Sequence, residues 1–528
     1  TAYANNITLD SNSTLTQTGP STLNATSLYV GQNSNGTLSV SSNGVISNTW
    51  GYLGYNGGSS GTATVSGAGS QWNISNSLFV GEFGTGTLTV DSGGVVSNTA
   101  GYLGDNGGSS GIATISGAGS QWNNLNSLVV GASGTGTLTV DNGGIVSDTD
   151  GFLGDTADNS STATISGAGS QWNNSGNLSV GRFGTGNLTV DNGGVVSNTL
   201  GYLGFNGVGS GTATVSGIGS QWNNTADLFV GGSSTAQGGT GEINVSNNGT
   251  LTVGSELKIW NTGTVNINGG SVMAGSVNNL GSLNFNAGTL HVTGDLALDA
   301  GLNSNLILNG AHKLIVDGST MLDAASSLAL NGGQFSTGSL LDNGGFSFNS
   351  GIFNLTNDQF VVGDSGLFGR SVLLGLNQSF NVTLDTLVDS NGLLLVDGGQ
   401  FSAGSLINNG QLAMNSTFSE LGGGPLTNHG LVSGSGRISA TINNTGTGEI
   451  QADPLKTLRF TAAGNSNSGK IQLSNGNVRF DQDLTNLAGG TISGRGTLVV
   501  NGGLNNQGTI AFSGGFSDVY GNVNINGT

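Results

Sequence analysis

The stretch Leu78–Asn98, LFVGEFGTGTLTVDSGGVVSN, holds three short runs of apolar and β-branched residues that glycine and serine separate. Alternate residues of the central run GTLTV are apolar, which is the pattern of a β-strand with one buried face. Leu88 and Val90 therefore point to an interior, whereas Thr87 and Thr89 point outwards. Glycine supplies the positive backbone angles that tight turns require. The stretch predicts three short strands joined by turns.

These three runs return along the chain at a fixed spacing. The word GSQWN occurs first at Gly69–Asn73 and then three more times, always 50 residues after the copy before. Within one such unit, Gly86–Val90 aligns with Gly111–Ile115, and Asn98 aligns with Asn123, so the unit consists of two related halves of equal length. One turn of three strands cannot bury its apolar face alone, but stacked turns share a continuous core. The spacing predicts an all-β fold, a right-handed parallel β-helix (β-solenoid) with coils of about 25 residues.

The regularity of the repeat divides the chain into four sections. Residues 1–27 are predicted to form an N-terminal entry or cap, and residues 28–231 the regular solenoid of 50-residue units. Residues 232–427 hold divergent coils, and residues 428–528 a C-terminal solenoid section. No proline-rich or charged linker interrupts the pattern. We therefore expect one continuous solenoid whose coils become shorter and more variable towards the C-terminal end.

Composition excludes several classes of function. The 528 residues include 99 glycines and no cysteine, and the net charge is −19. Without cysteine there are no disulfides or thiolate metal sites. Nucleic acid is not expected as a partner, because its binding requires clustered lysine and arginine. No run of 18 apolar residues occurs, so we predict no membrane-spanning helix.

A long repeated phrase resembles known surface proteins. The phrase is VSGAGSQWNxSxxLxVGxxGTGTLTVDNGGVVSNTxGYLG, and it covers about 28–231 in four ordered copies. It resembles the repeat shared by autotransporter (type V secretion) passengers and PEP-CTERM exported surface proteins. The final section, with FSGGFSDVYGNVNINGT, is also similar to repeat regions of PEP-CTERM proteins. The resemblance implies a bacterial β-solenoid that is secreted or held on the cell surface.

Two rows of residues in the GSQWN word are predicted to form structural ladders. The rows are Trp72, Trp122, Trp172 and Trp222, and Asn73, Asn123, Asn173 and Asn223. The tryptophans are identical in all four copies, so we predict that they fill a corner of the coil by packing. A row of exposed rings that stack on sugars is the alternative. Stacked asparagine amides can hydrogen-bond to one another along a solenoid, and we predict this for the second row.

A variable position indicates a contact surface. The middle residue of the LFVG run is Phe79, Val129, Ser179 or Phe229 in successive copies. A packed core would not tolerate such variation, so the position is predicted to be exposed. Phe79 and Phe229, together with Tyr102, form a candidate contact face for polysaccharide.

Carboxylates provide two less favoured interpretations. A calcium row at Asp91, Asp141 and Asp191 would need six or more oxygen ligands for each ion, and one Asp in each repeat unit is too sparse.

Glycoside cleavage would need a facing carboxylate pair. The candidates are Asp295 with Asp299, and Asp481 with Asp483, but solvated surface charge explains both pairs more simply. We therefore predict a non-enzymatic protein without cofactor or metal sites. It would be a secreted or cell-surface structural or adhesive rod, whose partner is either itself, in fibres or matrix, or polysaccharide. A polysaccharide lyase or hydrolase is the least favoured alternative.

Overall fold

The computed structural model describes residues 4–298, 304–512, 514 and 516–526. The regular secondary structure of these residues consists of β-strands, which pair in parallel from one coil to the next. The prediction of an all-β parallel solenoid is confirmed. The chain forms two compact units, Thr1–Thr293 and Gly294–Thr528.

In the first unit, each regular coil places one strand in each of three ladders that follow the solenoid axis. The first ladder contains Ser13–Thr18, Asn35–Ser41, Ser60–Ser66, Thr85–Asp91, Ser110–Ser116, Thr135–Asp141, Ser160–Ser166, Thr185–Asp191, Ser210–Ser216 and Thr240–Ser246. The second ladder contains Gln71–Ile74, Val95–Asn98, Gln121–Asn124, Ile145–Asp148, Gln171–Asn174, Val195–Asn198 and Gln221–Asn224. The third ladder contains Ala4–Leu9, Ser77–Val80, Ala100–Leu103, Ser127–Val130, Asp150–Leu153, Asn177–Val180, Leu200–Leu203 and Leu228–Val230. Longer strands that continue through more than one ladder are Thr22–Val30, Val45–Leu53, Thr250–Ile259, Gly263–Asn279 and Ser282–Val292.

The coil length differs slightly between the ladders. In the first ladder Gly86 pairs with Gly111, so the predicted alignment of these two glycines is confirmed. In the second ladder Asn98 pairs with Asn124, so the predicted alignment of Asn98 with Asn123 is wrong by one residue. Along the second ladder a coil of 26 residues, from Val95 to Gln121, therefore follows a coil of 24 residues, from Gln71 to Val95.

The turn before the second ladder explains the shift. Five residues separate Val90 from Val96, whereas six separate Ile115 from Trp122. The longer turn moves Trp122 onto Val96 and leaves Ser97 beside Asn123.

Apolar residues that alternate along the strands form the core. Leu88 and Val90 have no exposed surface, and the same holds for Ala113 and Ile115 at the matching places of the next coil. The inward positions predicted from GTLTV are confirmed. Fully burying an aliphatic side chain of valine or leucine size contributes about 1.5–3 kcal/mol to stability.

The second unit is built from shorter and less regular coils. Its strands are Leu296–Leu298, Asn305–Asn309, His312–Leu322, Ser327–Asp342, Gly345–Leu355, Phe360–Val362, Ser371–Leu374, Gln378–Val388, Leu393–Val396, Gln400–Asn408, Gln411–Gly423, Leu426–Asn428, Leu431–Ile438, Ile442–Asn444, Glu449–Ala452, Thr457–Phe460, Asn465–Asn467, Lys470–Gln472, Asn477–Phe480, Leu484–Asn486, Thr491–Gly494, Thr497–Val500, Leu504–Asn506, Thr509–Phe512, Asp518–Tyr520 and Val523–Ile525. Leu328 pairs with Phe346 across a short coil, whereas Phe353 pairs with Phe380 across a much longer one. The predicted shortening and variability of the later coils are confirmed.

Candidate functional site

Four aromatic rings form a continuous stack on the outside of the third ladder. This aromatic row consists of Tyr29, Tyr52, Phe79 and Tyr102, which occupy paired positions in successive coils. Neighbouring ring centroids lie 4.8, 5.4 and 5.0 Å apart, and the ring planes are within 9° of parallel. Parallel strands lie about 4.8 Å apart, so in-register rings must stack face to face. All four are half-buried, because the stack covers the ring faces and leaves the edges to solvent.

Other aromatic and acidic groups flank this row. The ring of Tyr55 stands edge-on to Tyr29 and Tyr52, with centroids 5.0 and 5.1 Å away. Burial, with the nearby charge of Glu82, raises the pKa of Tyr52 to about 12. The phenol hydroxyl of Tyr52 therefore stays protonated and remains a hydrogen-bond donor throughout the physiological range.

Glu82 and Asp105 follow the third-ladder strands of adjacent coils. Burial raises the pKa of Glu82 to about 7, and the charge of Asp105 adds to the shift. Burial also raises the pKa of Asp105. The Oε2 atom of Glu82 is buried and has no hydrogen-bond partner among the described residues. The sequence does not indicate this pair, because Glu82 and Asp105 do not coincide when the two halves of the repeat are aligned.

The structure places the four tryptophans of the GSQWN words inside the second ladder, with no exposed surface. Each indole N–H donates to a buried side-chain oxygen of the preceding coil at 2.6–2.7 Å. In order, the acceptors for Trp72, Trp122, Trp172 and Trp222 are Asn48, Asn98, Asp148 and Asn198. The rings are therefore out of reach of an external sugar.

The asparagine row lies on the outer surface of the second ladder. Asn73, Asn123, Asn173 and Asn223 each donate to the glutamine two residues earlier at 3.1–3.3 Å. The predicted stacking of these residues on one another is wrong, because a serine of the intervening coil separates each pair. Ser97, for example, pairs with Asn73 on one side and with Asn123 on the other.

Asparagine ladders exist instead at inward positions. In the first unit the amide of Asn98 donates to Asn124 at 2.6 Å. In the second unit a longer ladder donates from each residue to the next at 2.6–2.7 Å. Its members are Asn408, Asn428, Asn444, Asn467, Asn486 and Asn506. The signal in the sequence is an Asn that ends a short strand a few residues before a glycine, repeated at intervals too irregular for a fixed-period search.

The predicted contact face is only partly exposed. Phe79 and Tyr102 are half-buried members of the aromatic row. Phe229 is 2% exposed, so the prediction that it is exposed is wrong. Its ring stacks on Tyr202 at 5.3 Å, and its strand is paired on the other side with the strand of Lys258.

The carboxylate candidates serve local structure. Asp481 accepts hydrogen bonds from Arg459 and Arg479 at 2.7 and 2.6 Å. Burial alone would raise the pKa of Asp481, but these two arginines bring it below its ordinary value. Asp483 accepts from the backbone of Gly464 at 3.0 Å. An anionic Asp481 cannot act as a general acid.

Only one member of the other candidate pair lies within the described residues. Asp295 accepts a hydrogen bond from the backbone of Ser319 at 2.7 Å, and Asp299 lies outside the described residues.

Within the part of the chain that the structure describes, no three His, Cys, Asp or Glu side chains come close enough together to hold a metal ion. The described residues also contain no helix with the length and apolar character needed to cross a membrane.

Comparison with known proteins gives one informative similarity. No protein-family model matches the chain. The chain is 31% identical over 277 residues to the adhesin BmaC autotransporter of Brucella suis biovar 1 (strain 1330), a match that covers 50% of this chain. The match spans only 7% of that much longer protein. Half of this chain is therefore similar to a segment of an autotransporter adhesin.

Proposed function

We propose that this protein is a secreted or cell-surface β-solenoid that adheres to other surfaces through repeated weak contacts. Similarity to an autotransporter adhesin supports both the adhesive role and the exported location. It also supports export by the autotransporter route over the PEP-CTERM route.

The observation that carries this proposal is the repetition of outward side chains. On the first ladder, the same outward position of each strand is threonine in seven successive coils. These residues are Thr64, Thr89, Thr114, Thr139, Thr164, Thr189 and Thr214, paired in register. Successive copies lie about 4.8 Å apart. Identical groups in such an array can engage a repetitive partner many times, which multiplies weak affinities.

An enzyme would concentrate its chemistry at one place on the solenoid. General acid–base cleavage of a polysaccharide needs two accessible carboxyl groups with different pKa values. Here Asp481 is held as an anion by two arginines, and Glu82 keeps one carboxylate oxygen buried. These arrangements support an adhesive function over a lyase or hydrolase.

Adhesion can be tested with beads coated with the full chain. We expect the beads to resist flow on polysaccharide-coated or matrix-coated surfaces, with retention that rises steeply with the density of the chain on the bead. Beads coated with an equally acidic, non-repetitive protein are the control. Retention no greater than that control on every surface would refute adhesion, and release of reducing ends from a polysaccharide would identify an enzyme.

A further inference from the structure

A groove of about 640 Å³ lies on the outside of the second ladder and crosses five successive coils of the first unit. One wall is a row of five outward side chains that pair in register, alternately amide and hydroxyl. This amide–hydroxyl row consists of Asn24, Ser47, Asn73, Ser97 and Asn123. The groove therefore follows the stacking direction of the coils.

The row has unused hydrogen-bonding capacity. Asn73 and Asn123 each donate once, to Gln71 and Gln121 at 3.2 Å. Among the described residues, their carbonyl oxygens and second N–H groups have no side-chain partner, and the hydroxyl of Ser97 is equally available. Each coil thus offers a ligand both a donor and an acceptor.

Three apolar residues line the groove, but only one of them offers a large exposed surface. Ala25 and Ile74 are 3% and 4% exposed, and Leu125 at the far end is 75% exposed. Asn48, which also lines the groove, has a buried amide nitrogen without a protein partner. In the next 50-residue repeat the matching amide of Asn98 donates to Asn124. The residue that pairs with Asn48 is Ile74, which has no side-chain acceptor. A mainly polar lining with one exposed apolar side chain fits a ligand that is mostly hydroxylated and carries a small apolar face.

Charge limits the class of ligand. Among the described residues that line the groove, none is ionisable. The first unit contains two basic residues, Arg182 and Lys258. Arg182 forms an ion pair with Asp155 at 2.9 Å, and Lys258 lies over the ring of Trp260. A charged polymer of either sign would find no counter-charge in the groove, so these observations favour an uncharged ligand.

The spacing of the amide–hydroxyl row indicates the repeat distance that a polymeric ligand must have. Coils repeat at about 4.8 Å, and the alternation of amide and hydroxyl repeats at every second coil. A β-1,4-linked polysaccharide advances by one sugar in roughly one coil spacing and turns each sugar over relative to the last. Its hydroxyl pattern therefore also repeats at every second unit.

We propose that this groove binds an extended, uncharged, β-1,4-linked polysaccharide strand that runs along the solenoid axis. Hydroxyl groups of the sugars bond to Asn73, Ser97 and Asn123, and a sugar ring packs on the exposed side chain of Leu125 at the end of the groove. The proposal rests on the adhesive function and names its ligand class. It assigns sugar binding to the groove and not to the aromatic row, whose ring faces are already covered.

The test is calorimetric titration of the full chain with cellohexaose, an uncharged β-1,4-linked hexasaccharide. Hexagalacturonate, an acidic hexasaccharide, is the ligand control. We expect the double variant Asn73→Ala/Asn123→Ala to bind cellohexaose at least tenfold more weakly than the wild type. Ser97→Tyr, which fills the groove from its centre, should abolish binding.

The matched control is Asn173→Ala/Asn223→Ala. These residues occupy the same row and make the same bond to a glutamine, but they lie outside the groove. We expect this control to bind within twofold of the wild type.

Several results would overturn the proposal. They are equal loss in both double variants, no loss in either, binding of hexagalacturonate as tight as that of cellohexaose, or no binding of cellohexaose by the wild type. If sedimentation shows that groove variants dissociate a dimer, the occupant is a second copy. Bead adhesion is measured separately, so retained beads without cellohexaose binding would refute the groove ligand and leave the adhesive function standing.

Discussion

Asp148 is the acidic member of a row whose other members are Asn48, Asn98 and Asn198. Its Oδ2 accepts the indole N–H of Trp172 at 2.7 Å, while its Oδ1 is buried without a partner. The paired Asn174 also keeps a buried, unpartnered oxygen, because its amide nitrogen is turned to the backbone of Ser197. In the equivalent coil an N–H of Asn98 fills this gap. A proton on Asp148 would supply the missing donor.

The proton on Asp148 makes stability depend on pH. Burial raises the pKa of Asp148 to about 8, although the bond from Trp172 opposes the shift. In the unfolded chain the pKa is near the model-peptide value of about 3.9. Between about pH 4 and pH 8 the folded state therefore holds a proton that the unfolded state has lost. The free energy of unfolding falls as pH rises through this window, by up to about 1.4 kcal/mol per pH unit.

We predict that Asp148→Asn removes this slope. The variant should have a higher denaturant midpoint than the wild type at pH 8, and the difference should shrink towards pH 4. Asn98→Asp should introduce a second slope of the same sign, because Asn98 occupies the equivalent place. The measurement is guanidinium unfolding at a series of pH values. Parallel pH profiles for wild type and Asp148→Asn would show that Asp148 is ionised in the folded protein.

At the scale of one residue, the sequence shows the substitution but not its consequence. Asp148 stands out as an Asp where Asn98 and Asn198 occur in the other copies. Its partner is Asn174, which the predicted alignment of the two halves would have missed because the second ladder is offset by one further residue. Burial of the tryptophans could be predicted because they are identical in all four copies. The hydrogen bonds that hold them depend on the register of the second ladder, which the sequence did not reveal.

At the scale of the element, the asparagine ladder of the second unit replaces packing with hydrogen bonds. Asn444 accepts from Asn428 at 2.7 Å and donates to Asn467 at 2.6 Å, with no exposed surface. Removal of its side chain leaves the buried Oδ1 of Asn467 without its donor, whereas the amide nitrogen of Asn428 keeps its bonds to the backbone oxygens of Gly430 and Glu449. Each buried unsatisfied group costs about 1–3 kcal/mol.

We predict that Asn444→Ala lowers the free energy of unfolding by about 1–3 kcal/mol, from one such group. Asn443→Ala is the matched control, because Asn443 precedes it in the same strand and is exposed. That variant should change stability by less than about 0.5 kcal/mol. Denaturant unfolding monitored by circular dichroism provides the comparison. Equal effects of the two variants would mean that the ladder contributes nothing beyond any surface amide.

The strands themselves were readable from the sequence, unlike the ladders between them. GTLTV fixes its own inward residues by alternation, since the side-chain period of a strand is two. Which residue of one coil meets which of the next depends on turn lengths. A single extra residue before Trp122 was enough to pair Asn98 with Asn124 and to leave Asn123 beside Ser97.

At the scale of the whole molecule, charge opposes association between copies. The chain carries 29 acidic and 10 basic residues, and its isoelectric point is about 4.1. Like charge of this size keeps molecules apart at neutral pH and low salt. The repulsion is screened within about 10 Å at 0.1 M salt and disappears near the isoelectric point.

We therefore predict a single sedimenting species at pH 7 in 10 mM salt over a hundredfold range of concentration, and association near pH 4. The associated chains should keep their β-sheet circular dichroism, because protonated Asp148 favours the folded state at low pH. Sedimentation velocity at both pH values, with spectra of the same samples, makes the measurement. Fibres at pH 7 in low salt would favour self-assembly over adhesion to other surfaces as the main function. Attraction strong enough to overcome a charge of −19 requires a dedicated interface between copies.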